Sequence, residues 1–572
     1  MARGPRPHGS SSRGDREDVR ARGHDRDEDR LGQLSHAQEA VRGAFWADDE
    51  ASLLPPDRKH VIRDSKTPSG EIPISSLRGP IITDALYRTF KKHGLDVRYV
   101  FTIDDYDPMD SQSMRQKSGM AQHMGKPFFA IPSPDPSATD FARFHAEKFL
   151  ATFAELGIHP QEFHWMRELY QSGQLDEQID LVLRNAATIR EIYAKVANVI
   201  KDESWLPVAV ICENCGRLGT TYAYDYDGKT VAYECRKDLV EWAEGCGYKG
   251  RRSPFKGGAK LYWNIQWCAM WDHFHVTYEE GGKDLLTAGG SRDRANEVYR
   301  EVWKKEPPIG LVHEFLNVGG RKMSTSRPDD WKQLGAAAHE FVKIYPPYLV
   351  RFLMLRTHPK RHIDFDPTGN NLPKLWDEYD RCGEAYETAP ESDTAKTWSL
   401  SQVDEDHGPP GFRIRFSIVA DWLQIPSVEP YREAEERKGA PLTPSEREEL
   451  RRRVDLARVW LERWAPEDAK FSVRPELPRD IQLSAEQKRY LSLLIPLIGK
   501  ITDPEALRQE LYETAKRVWD GAVPREAFVA IYLAFLGKPN GPIAVWLLTT
   551  LPPDVVRKRL EEASRMEERA NA

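Results

Sequence analysis

Cysteine is scarce in this chain: there are six in 572 residues, four of them crowded between Cys212 and Cys246. That suits a metal site in a reducing compartment better than a disulfide-stapled scaffold. The other two, Cys268 and Cys382, read as core residues. Long apolar runs are missing as well, none approaching the roughly twenty residues needed to cross a bilayer. The first thirty residues are rich in Arg and Asp and hold no hydrophobic segment, so no secretory signal is visible and a cytoplasmic protein with no membrane partner is expected. Neither sign of charge dominates. Lys+Arg total 82 against Asp+Glu 89, a formal net charge of -7, which argues against a general polyanion-coating protein but leaves room for a local basic strip. The hydrophobic share of 40 % and charged share of 30 % are ordinary globular values that exclude collagen-like, mucin-like and wholly disordered polymers. The length implies several packed units.

Residues 1–52 open MARGPRPHGSSSRGDREDVRARGHDRDEDR, offer almost nothing apolar to bury, and read as a disordered tail. Interleaved acids cancel the arginines that would otherwise point to a nucleic-acid-binding arm. Residues 53–204 begin in a different grammar. Lys59–Arg63 and Val97–Ile103 are rich in β-branched and aromatic residues, as strands are, while Leu77–His93 has helical spacing and ends at Gly94. Strand, turn, helix and strand make a βαβ unit, which implies a parallel sheet with its ligand at the strand C-terminal ends. The turn Thr67-Pro68-Ser69-Gly70 and the acidic pair Asp104-Asp105 both fall there, although those acids read equally well as solvated caps of the next turn.

Residues 205–260 carry the cysteines, 261–375 return to mixed strand and helix signals, and 376–572 read as helices set apart by a polar stretch around 388–412. In this last part Thr443-Pro444-Ser445-Glu446 is a capping box with Pro at the first helical position, and Asp503-Pro504 opens another helix.

Two local constellations carry chemistry. Gly319-Gly320-Arg321-Lys322-Met323-Ser324-Thr325-Ser326 is a glycine-led loop that offers a mobile cation and hydroxyl donors to a triphosphate, or else a plain polar turn. Cys212-x-x-Cys215, followed by Cys235 and Cys246, supplies four thiolates for a tetrahedral site whose natural metal is Zn²⁺. Four thiolates leave no open position, so the metal's role is structural; free core thiols are the alternative. Trp263, Trp267 and Trp271 recur every four residues, as one apolar face of a helix does. His123 and His145 read as surface residues rather than remnants of a second metal site.

With Thr67-Pro68-Ser69-Gly70-Glu71-Ile72-Pro73-Ile74-Ser75-Ser76 on its first turn and Lys322-Met323-Ser324-Thr325-Ser326 later in the chain, the sequence resembles class I aminoacyl-tRNA synthetases, most closely the class I lysyl-tRNA synthetases. Further matching segments are Thr102–Asp107, Glu168–Gly173, Gly282–Asp284 with Thr287–Ser291, Ile363–Asp366 and Leu536–Pro542, in order along about residues 58–565. The resemblance implies an α/β fold: a Rossmann-like doubly wound parallel sheet with a zinc-ribbon-like insertion, followed by an all-α anticodon-binding domain. It implies ATP, Mg²⁺, structural Zn²⁺, lysine and tRNA(Lys) as cofactors and partners of a monomer.

By the same resemblance Thr67, Ser69, Gly70, Pro73, Ser75, Ser76, Asp284 and Lys322 to Ser326 line the ATP site, with Lys322 and Ser324 catalytic. Asp104, Asp105 and Gln266 would meet the amino acid. Lys343, Arg351, Arg356, Lys360 and Arg361 make a strip suited to a tRNA backbone, or a merely solvated one. Three positions depart from the family: Pro73-Ile74-Ser75 stands for His-Ile-Gly, Leu285 for the histidine of GKDH, and Gln266 for an acid in W-x-x-(D/E)-W. Two readings follow. One is a ligase that attaches lysine to tRNA through a lysyl-adenylate, slowed or re-tuned; the other is a weakened paralogue that binds tRNA, nucleotide or a partner. A ligase with another acceptor is a third.

Overall fold

A computed structural model describes residues 45–286, 290–322, 336–404, 408–425 and 428–566. Five strands, β1 (His60–Lys66), β2 (Val97–Ile103), β3 (Glu162–Trp165), β4 (Tyr278–Gly282) and β5 (Ile309–His313), pair in parallel in the order β5-β4-β1-β2-β3. Alternation along the strands builds a layer on each face. Ile62, Tyr99, Phe101 and Ile103 pack with Ile81, Leu86 and Phe90 of the helix Arg78–Lys92. Val61 and Val100 point the other way, to Ile265, Met270 and Trp271 of the helix Trp263–Phe274. A sheet buried on both sides by helices is the doubly wound α/β arrangement. Its strand order reverses between β1 and β4, which opens a crevice at the carboxyl ends of those two strands.

The cysteine-bearing insertion stands on a two-stranded stem, Val208–Val210 against Ala259–Leu261, and carries a three-stranded antiparallel sheet of Thr221–Tyr226, Val231–Cys235 and Lys249–Arg252. Every described strand lies before Asn371, and helices follow. Thr443 and Glu446 cap each other reciprocally at the start of Pro444–Arg463, and the Asp503 carboxylate accepts the Ala506 N–H at the start of Pro504–Val518. No helix among the described residues is long and apolar enough to cross a membrane.

Four expectations need correction. Residues 45–52 are not tail: Trp46–Ser52 is a helix that buries Phe45, Trp46, Ala47 and Ala51, while Glu50 accepts the Tyr278 hydroxyl at 2.7 Å. The stretch around 388–412 contains a helix, Asp393–Ser401, anchored by the buried Trp398. Arg351 does not belong to a surface strip. It is fully buried, paired with Asp84 at 2.7 Å and bonded to the carbonyls of Leu156 and Leu400, so its donors knit the core to that helix. Arg356, Lys343, Lys360 and Arg361 are all exposed, Arg356 in a pair with Glu378. His145 lies buried against the rings of Phe141 and Phe144 rather than at the surface.

Candidate active site

A cleft of about 360 Å³ opens at the carboxyl ends of β1 and β4. Ser75 and Ser76 line it from the 3-10 turn Ile74–Leu77 that feeds the helix Arg78–Lys92. Pro73 sits outside the lining, in an antiparallel bridge with Ala337. The neighbouring backbone is tied the same way: the Ile74 N–H donates to the Ala336 carbonyl at 2.8 Å and the Ala338 N–H to the Ile72 carbonyl at 2.9 Å. On the opposite wall β5 runs through His313 to Leu316 along the cleft and into a hairpin, Leu316–Val318 with Arg321–Lys322. Gly319 and Gly320 make its turn at φ 58° and 72°, the left-handed pair that a two-residue hairpin demands.

The backbone on both sides of segment 323–335 is therefore anchored at this cleft and its first turn. Met323, Ser324, Thr325 and Ser326 themselves lie outside the described residues, and Lys322 is fixed only as the hairpin residue opposite Asn317.

Of the expected site residues, Ser75, Ser76, Asp104, Gln266 and Asp284 share the cleft. Asp104 and Gln266 belong to one buried relay. The Leu261 N–H donates to the Tyr170 hydroxyl at 3.1 Å, the hydroxyl donates to Gln266 Oε1 at 2.9 Å, and Gln266 Nε2 donates to Asp104 Oδ1 at 3.0 Å. Burial and then the nearby Asp107 push the Asp104 carboxyl up to about 6, against the pull of Arg63 and Lys260.

Asp105 is elsewhere. Its carboxylate takes the Arg167 guanidinium and, at 2.9 Å, the Arg167 backbone N–H, and Arg167 reaches on to Asp140 at 2.8 Å. It is a structural clasp with no face on the cleft. Thr67 and Ser69 line a second cleft of about 810 Å³ that adjoins the first at Trp263, and Gly70 lines neither.

Several cleft residues escaped the sequence reading. Glu279 is buried and receives Arg63 at 2.6 Å, Arg292 at 3.1 Å and the indole N–H groups of Trp267 and Trp271. The tryptophan spacing thus marks a helix face, with two of its N–H groups serving one carboxylate. Glu280 pairs with His313 at 3.0 Å; burial alone would lower the His313 pKa, but the Glu280 charge outweighs it and the imidazole titrates above its ordinary range. Lys66, the last residue of β1, donates to Ser76 Oγ at 2.9 Å. Burial lowers its ammonium to about 8, opposed by Asp64, Asp284 and Asp104. A charged residue ending a strand just before the Thr67 turn was the available signal.

In the insertion, the ligand atoms of Cys212, Cys215, Cys235 and Cys246 all lie within 4.8 Å of one another, the sole such cluster among the described residues. Cys268 and Cys382 are buried core residues, as expected.

The sequence profile described as tRNA synthetases class I (K) matches residues 44–404. This chain belongs to that family. It is 31 % identical to the lysine–tRNA ligase of Archaeoglobus fulgidus over 522 residues, 91 % of this chain and 99 % of that protein. It is 30 % identical to the lysine–tRNA ligase of Methanosarcina barkeri over 547 residues, 91 % of this chain and 97 % of that protein. Among solved structures it matches a glutamate tRNA ligase from Elizabethkingia meningosepticum at 11 % identity and a TM-score of 0.38, over 89 % of this chain and 99 % of that one. The assignment rests on the sequence matches alone.

Proposed function

We propose that this chain is an ATP-dependent ligase that joins lysine to tRNA. The lysine carboxylate attacks the α-phosphate of ATP, forming the lysyl-adenylate and expelling pyrophosphate. A hydroxyl at the 3′ end of tRNA then attacks the acyl carbon and releases AMP. The observation that carries this reading is the anchoring of both ends of segment 323–335 around the cleft that also holds Ser75 and Ser76. The Lys322 ammonium then compensates the charge passing to pyrophosphate. The near full-length similarity to proteins named lysine–tRNA ligase favours a working ligase over a weakened paralogue.

In this reading Lys322 and Ser324 hold the phosphates, Ser75 and Ser76 donate to them, Asp284 sits beside the adenylate, and Mg²⁺ arrives with ATP. Asp104, held by Gln266, receives the lysine ammonium; above about pH 6 it is the ionised carboxylate such a contact needs. The helices beyond Asn371 read the anticodon, and the protein works as a monomer in the cytoplasm. The four cysteines fit structural Zn²⁺: Cys212 and Cys246 Sγ are 3.6 Å apart and Cys215 and Cys235 Sγ 3.7 Å, close to the ~3.8 Å edge of a tetrahedron with Zn–S bonds of about 2.3 Å.

Charging of tRNA with labelled lysine tests the reading. Acid-precipitable label that depends on ATP and is released by mild alkali supports it; tRNA that binds yet stays uncharged with lysine contradicts it.

A further inference from the structure

The cleft wall at the first turn has hydroxyls but no cation of its own, since Ser75 and Ser76 face it and Pro73 has neither charge nor N–H. Among the described residues, the other cations that line the cleft are already spent. Arg63 is bonded to Glu279 and to the Thr102 hydroxyl, both at 2.6 Å. Arg78 spans the carbonyls of Phe315, Pro359 and Arg361 at 2.8 to 3.1 Å. His313 is held by Glu280.

Lys66 is different. An ammonium has three donors, and the described contact of this one is a single hydroxyl, Ser76 Oγ at 2.9 Å. Its place is the end of β1, beside the point where the strand order reverses, where ligands bind in open α/β sheets. Asp64 on β1, Asp104 beyond β2 and Asp284 beyond β4 partly offset the cost of desolvating its charge, and its one described hydrogen bond leaves two of its donors for a ligand.

We propose that Lys66 is an ATP-binding residue whose ammonium meets the triphosphate at the first turn, supplying there the cation that Pro73 cannot. This rests on the ligase reading above for its reaction, but not for its ligand. Lys66, fixed at the end of β1, then meets the phosphates from the wall of the first turn. A half-buried ammonium lowered to about 8 makes the ATP contact weaken as pH rises through that value.

The test uses the full chain and the variants Lys66→Met and Lys66→Arg, with Mg·ATP binding measured by calorimetry without lysine and lysine-dependent pyrophosphate exchange measured with tRNA present. Lys66→Met is expected to lower kcat/KM for ATP about a hundredfold while shifting the KM for lysine less than threefold. In the wild type kcat/KM for ATP falls above about pH 8, and in Lys66→Arg, whose guanidinium stays charged, that fall is absent. An effect of Lys66→Met confined to the KM for lysine, or equal Mg·ATP affinity in wild type and Lys66→Met, overturns the proposal.

Should Lys66→Met not fold, the pH profile of Lys66→Arg decides: a fall identical to the wild type's overturns it. If the wild type binds Mg·ATP but exchanges with no amino acid, the ligase reading fails alone, and loss of Mg·ATP binding in Lys66→Met still supports the role of Lys66. A wild type that binds no Mg·ATP overturns both.

Discussion

The Gln266 side-chain amide donates to the Asp104 carboxylate at 3.0 Å, joining the helix Trp263–Phe274 to the end of β2 across the floor of the cleft. The direction of that bond is fixed from behind, because the Tyr170 hydroxyl donates to Gln266 Oε1 and thereby turns Nε2 toward Asp104. An amide thus does here what a second acid could not: it pairs with a buried carboxylate without repelling it.

Gln266→Glu accordingly creates two adjoining buried carboxylates. Their pKa values rise above those of the unfolded chain, so the penalty grows as pH climbs through the raised values and is complete at pH 8. Urea unfolding is expected to show a loss of about 1–3 kcal/mol at pH 8 and a smaller one at pH 5, where the pair shares a proton. A larger loss at pH 5 than at pH 8 would contradict the relay.

Gly79 opens the helix Arg78–Lys92 against β1 and β4. A Cβ there would stand 2.8 Å from Glu280 Oε1 and 3.5 Å from Asp64 Oδ2. Both carboxylates are buried, and Glu280 is held by His313, so there is little freedom to yield. Gly79→Ala should cost roughly 1–3 kcal/mol by overpacking, read as a lower urea midpoint; an unchanged midpoint would show that the wall gives way freely.

For the insertion, the expected metal content is one zinc per chain. Cys215→Ser removes one of the four clustered ligands and should lower both zinc retention and the thermal midpoint, while a chelator should reproduce the shift in the wild type. Freshly purified protein with no zinc would leave the four thiols as core residues.

The parts of this fold legible in the sequence are those whose causes are local. β1, β2 and the helix between them follow from side-chain periodicity, the Thr443–Glu446 box from a four-residue pattern, and the cysteine cluster from its knuckle spacing. What stayed hidden depends on partners far along the chain. β4 reads Tyr-Glu-Glu-Gly-Gly, a poor buried strand until Arg63, Arg292, Trp267 and Trp271 arrive to satisfy Glu279. Arg351 looked like a surface cation because Asp84 and the Leu156 and Leu400 carbonyls are remote in sequence. Asp104 and Asp105 are adjacent and chemically alike, yet only the fold separates the one that faces the cleft from the one clasped by Arg167.

The central claim is that the first turn and the Lys322 loop close on one nucleotide. Its most direct test is lysine-dependent exchange of labelled pyrophosphate into ATP, with tRNA present, comparing the wild type with Lys322→Ala. The account predicts exchange in the wild type and a loss of at least about a hundredfold in the variant; equal exchange rates in the two proteins would contradict it.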